Sequence, residues 1–80
     1  MITESLKNDL QKSIQEKERK ESERIGSRVS SRIDFDSDSA TVYFYFPKKE
    51  GGVSTDIEIY TLEKNSDRSL YWYCKLNGLD

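Results

Sequence analysis

The sequence predicts an α+β domain: an N-terminal helix packed on a four-stranded antiparallel meander, α-β-β-β-β, in two layers. Three observations carry this. Ile2, Leu6, Leu10 and Ile14 recur every four residues at the start of the chain. After Gly26 the apolar period drops from 3.6 to 2. The segments with period 2 are joined by short turn-rich stretches, which connect antiparallel neighbours. The reading puts a helix over about residues 3–25 and strands over about 27–36, 40–46, 53–62 and 69–76, in a single domain of 80 residues.

Thr3 suits the N-cap, with Glu4 and Asp9 near the positive end of the helix dipole. Residues 15–24 (QEKERKESER) have no apolar side chain but good helix propensity, and Gly26 is a natural residue to end the helix. A helix of this length spans ~33 Å and a four-stranded sheet is only ~15–20 Å wide, so the charged half is expected to project past the core. Glu16 and Lys20 form a well-oriented i,i+4 pair; Lys12–Glu16, Lys17–Glu21 and Arg19–Glu23 are reversed.

In the first strand Val29, Ser31, Ile33 and Phe35 share one parity, and Arg28, Arg32 and Asp34 the other. Asp36-Ser37-Asp38-Ser39 is turn chemistry. In the second strand Val42, Phe44 and Phe46 face the helix and Thr41, Tyr43 and Tyr45 face away. Pro47–Gly52 makes a hairpin loop. The third strand is expected to turn Ile57 and Ile59 inward and Asp56, Glu58 and Tyr60 outward. After a turn at residues 63–68 the last strand turns Leu70, Trp72, Cys74 and Leu76 inward and Tyr71, Tyr73 and Lys75 outward. The expected core is therefore Leu6, Leu10, Ile14, Val29, Ile33, Phe35, Val42, Phe44, Phe46, Ile57, Ile59, Leu70, Trp72, Cys74 and Leu76.

The chain has no histidine, which removes Ser-His-Asp and Cys-His chemistry and imidazole ligands. Cys74 is the one cysteine, so no intrachain disulfide forms, and it reads as a small buried hydrophobe. Asp34, Asp36 and Asp38 have the spacing of a calcium loop, but Ser39 replaces the required glycine and Tyr45 the bidentate glutamate. Asp34 and Asp36 could stand ~7 Å apart on one strand face, without the burial that paired catalytic carboxylates need. No phosphate-loop motif occurs. The sequence thus predicts no catalytic residues, no metal and no cofactor. With no signal peptide and no apolar span, the expected location is cytoplasmic, away from membranes.

The informative feature is tyrosine parity. Tyr43, Tyr45, Tyr60, Tyr71 and Tyr73 all fall on the expected open face, while the three phenylalanines and the tryptophan face the helix. Tyrosine is enriched at interface hot spots. The sequence therefore predicts a non-enzymatic module that binds a larger protein or complex through these tyrosines, with Arg28, Arg32, Asp56, Glu58 and Lys75 as the polar rim. Its size and lack of motifs suit an inhibitor that blocks a larger machine, of the kind phages and mobile elements use against host defence or CRISPR systems. A homodimer through the half-covered sheet is a further expectation. Single-stranded nucleic-acid binding by base stacking is the alternative, opposed by the acidic residues on the same face. Residues 1–32 carry eight basic and six acidic side chains and residues 33–80 five and nine, so nucleic-acid mimicry by the acidic C-terminal part is a weaker third reading.

Overall fold

A computed structural model describes the backbone of residues 2–77 and the side chains of residues 2–75. One helix, α1 (Glu4–Ile25), is followed by strands β1 (Ser30–Phe35), β2 (Ser39–Pro47), β3 (Val53–Lys64) and β4 (Leu70–Asn77). The strands form a single antiparallel sheet in the order β1-β2-β3-β4. This is the predicted α-β-β-β-β meander, with α1 on one face.

The helix ends follow local chemistry. The Thr3 hydroxyl accepts the Leu6 N–H at 3.2 Å, and the Gly26 N–H donates to the Ser22 carbonyl at 2.9 Å. Gly26 holds φ at +72°, and no atom lies within 4 Å of where a β-carbon would stand, so a side chain there would meet backbone strain alone. Gly26→Ala is expected to lower stability by about 1 kcal/mol in a urea titration; an unchanged midpoint would refute that cap.

The helix does not overhang the sheet as its length suggested. It runs along the strands, antiparallel to β1: Lys7 lies over the Phe35 ring, Glu18 accepts a hydrogen bond from Ser31, and Ser22 Oγ accepts the Val29 N–H. The charged half of α1 thus lies above the sheet and joins its packing through Lys17, Glu18 and Ser22. Its outer face is tied by Arg19 to Glu16 and Glu23 and by Arg24 to Glu21.

The core comprises Leu10, Ile14, Val29, Ala40, Val42 and Phe44, flanked by Ile25, Ile33, Phe35, Phe46, Tyr60 and Trp72. The indole N–H of Trp72 donates to the Leu6 carbonyl at 2.8 Å, which ties β4 to the first turns of α1. Trp72→Phe keeps most of the apolar area but deletes this bond, and should cost about 1 kcal/mol in chemical denaturation; no loss would mean the bond does not hold β4.

The strand β3 corrects the sequence expectation. Directly opposed residues of a ladder share a face, and Val42 pairs with Glu58, Phe44 with Asp56 and Ala40 with Tyr60. Asp56, Glu58 and Tyr60 therefore share the helix side with the core of β2, while Ile57 and Ile59 lie on the open face opposite Tyr43 and Thr41. The cause is hairpin length. Five residues, 48–52, separate the closing pair Pro47 and Val53, so even positions pair with even positions. Gly51 and Gly52, at φ of +96° and +83°, let this loop close through the Lys48 N–H to the Gly52 carbonyl.

Two further core expectations fail on the last strand. Cys74 is exposed, because α1 covers Trp72 but not the far part of this edge strand. Leu70 is over a third exposed at the strand start. A register shift at Ile59/Tyr60 pairs Tyr60 with Cys74 but Ile59 with Leu76, leaving Lys75 as the extra residue of a bulge. The side chain of Leu76 lies outside the described residues.

Candidate functional site

The two sides of the sheet carry different arrangements. On the helix side, the Glu58 carboxylate is 1% exposed and lies between two donors. Lys17 forms an ion pair with one oxygen, and the Tyr60 hydroxyl donates to the other at 2.6 Å. The Lys17 ammonium also stands 5.1 Å from the centroid of Phe44. Burial, then the neighbouring Glu58 carboxylate, pushes the Tyr60 phenol far above its ordinary range. Among the described side chains no buried polar atom lacks a partner. Sequence reading missed this triad. Its signal was Lys17, three residues after Ile14 on the apolar stripe of the helix.

A pH dependence follows. An unfolded tyrosine ionises near pH 10, whereas folded Tyr60 resists ionisation. The unfolded state therefore loses its proton first, and stability should fall as pH rises above about 10. Tyr60→Phe should remove this component of the alkaline loss in melting curves taken across that range; an identical alkaline profile for both proteins would contradict it.

On the other side no helix among the described residues covers the sheet. Tyr43 and Tyr45 stand on β2, Ile57 and Ile59 on β3, and Tyr71 and Tyr73 on β4, with Thr41, Thr55 and Thr61 between them by register. Tyr73 is 53% exposed, Ile57 37% and Val53, at the hairpin end of β3, 56%. An apolar strip thus crosses the face diagonally. Arg32 stacks over Tyr43 with its guanidinium carbon 4.5 Å from the ring centroid, and donates to Asp34 at 3.2 Å. Asp34 first, then the phenol of Tyr45, favours the charged form of Arg32.

Of the residues expected on this face, the structure brings together Tyr43, Tyr45, Tyr71, Tyr73 and Arg32. Arg28 is exposed just before β1, and Lys75 sits at the bulge. Tyr60, Asp56 and Glu58 are removed to the helix side, which makes the open face less acidic and, with Ile57 and Ile59 in their place, more apolar.

The acidic turn is an ordinary turn. Strand β1 ends at Phe35, so Asp36 does not share a strand face with Asp34; its N–H donates to the Ser39 carbonyl and its carboxylate accepts the Ser37 N–H. Among the described residues no group of three or more His, Cys, Asp or Glu side chains is placed to hold a metal ion. A cleft of about 300 Å³ between the helix flank and β4, lined by Leu6, Asp9, Leu10, Tyr60, Leu70 and Trp72, is open rather than enclosed. No helix among these residues is long and apolar enough to cross a membrane. Compared with protein-family models, with curated proteins and with solved structures, the chain matches none.

Proposed function

We propose that the chain is a non-enzymatic protein-binding module whose working surface is the open sheet face, acting by steric blocking of a larger protein in the cytoplasm. The observation that supports this reading is the uncovered strip of four tyrosines and two isoleucines. Contiguous solvent-exposed apolar surface rimmed by polar residues marks interaction sites. Tyrosine freezes few rotors on binding for the area it buries. Inhibition of a defence system is one role that such blocking would serve.

Tyr43→Ala with Tyr73→Ala is the test. These side chains lie away from the core, so the fold should survive, while each hot-spot tyrosine should contribute on the order of 2 kcal/mol, about thirtyfold in affinity. A folded double variant that binds the native partner at full affinity would sink the reading. Base stacking gains from the loss of Asp56 and Glu58 from the face, but Arg32 is held by Asp34. That alternative predicts affinity falling steeply with salt, which apolar protein binding does not.

A further inference from the structure

We propose that the open face pairs with the open face of a second copy, the two chains running antiparallel about a two-fold axis near Ile57 and Ile59. This rests on the reading that the face binds protein, and names one occupant for it. Four strands of 6, 9, 12 and 8 residues, set ~4.8 Å apart, make a face of the order of the roughly 800 Å² per partner that a standard interface buries. Its centre is uncharged, with Tyr43 opposite Ile57 and Thr41 opposite Ile59, and at the β1 edge Arg32 is paired with Asp34, so two copies meet there without like-charge repulsion.

The ends of the sheet set the direction. A meander puts the β1–β2 and β3–β4 turns at one end and the β2–β3 hairpin at the other. At the first end Asp36, Asp38, Glu63 and Asp67 outnumber Lys64 and Arg68; at the second Arg28, Lys48 and Lys49 outnumber Glu50. An antiparallel pairing sets each acidic end against the partner's basic end; a parallel one sets like against like. Side-chain size agrees. Tyr43 and Tyr45 come to lie over the small side chains of the opposite half of β2, those of Thr41 and Ser39, while Ile57 meets Ile59 at the axis. The pair takes the apolar strip out of water, and capture of any other protein by this face competes with it.

Sedimentation equilibrium tests this on the intact chain. The wild type is expected to dimerise with a dissociation constant on the order of 10 μM. Lys48→Glu with Lys49→Glu, and separately Asp36→Lys with Glu63→Lys, should each weaken the dimer at least tenfold. An equimolar mixture of these two variants should restore it as a heterodimer, because both end contacts are then again free of the like-charge clash. Circular dichroism and Trp72 fluorescence verify that each variant is folded, and the restored heterodimer itself reports two folded partners. A wild type that stays monomeric at high micromolar concentration overturns the proposal, and leaves the tyrosine reading to its own double-alanine test. A dimer indifferent to both charge reversals also overturns it, in favour of edge-to-edge pairing.

Discussion

Phe44→Ala is expected to remove about 3–5 kcal/mol of stability, enough to unfold much of the population of so small a domain. Phe44 is fully buried at the centre of β2. Its ring lies 6.5 Å from that of Phe46, and the Lys17 ammonium sits over it. Truncation removes apolar area, opens a cavity and takes one support from the only buried carboxylate among the described residues. Phe44→Leu should cost less, because more of the volume is kept. Urea unfolding followed by Trp72 fluorescence gives both values; a Phe44→Ala loss below about 1 kcal/mol would mean the core is not centred there.

Lys17→Met should produce the second large effect. It leaves Glu58 buried without its ammonium partner and with the neutral Tyr60 hydroxyl still donating. Breaking a buried pair from one side costs about 3–5 kcal/mol, and the 29% exposure of the Lys17 side chain puts this case toward the lower end. Removing both charges is different in kind. Lys17→Met with Glu58→Leu replaces two desolvated ions by apolar groups and should equal or exceed the wild type in stability. With Glu58→Leu alone as the fourth protein these form a double-mutant cycle, and a coupling energy near zero would show that the pair contributes nothing.

The triad gives a physical reason for the helix to sit where it does. An apolar stripe can slide over an apolar sheet at modest cost. A buried carboxylate that must meet one ammonium specifies both the position and the rotation of α1. Ser31 with Glu18 and Trp72 with the Leu6 carbonyl act at two other points along the same helix.

Legibility differed between elements. The helix limits followed from Thr3 and Gly26, since caps act through bonds to the adjacent turn. The faces of β1 and β2 were readable because each alternates plainly between apolar and polar side chains. Strand β3 was not. Ile57 and Ile59 alternate with Asp56 and Glu58, but Tyr60 and Leu62 continue the acidic parity, so both orientations have apolar content. Assigning the isoleucines inward is the choice hydrophobicity favours, and the hairpin overrides it. Four of the five tyrosines nevertheless fell on the expected face, while Tyr60 moved with its strand.

Composition and period by themselves determined the element order, the antiparallel connections, and most of the tyrosine-rich face, because these depend on near neighbours along the chain. Tertiary structure alone decided which side of β3 enters the core, that the charged half of α1 packs rather than projects, and that a glutamate can be buried. Those outcomes depend on a five-residue loop setting the ladder register, and on Lys17 reaching a partner 41 residues away. Neither is visible in the local pattern of either segment, since the partner that makes burial of Glu58 tolerable lies on a different element.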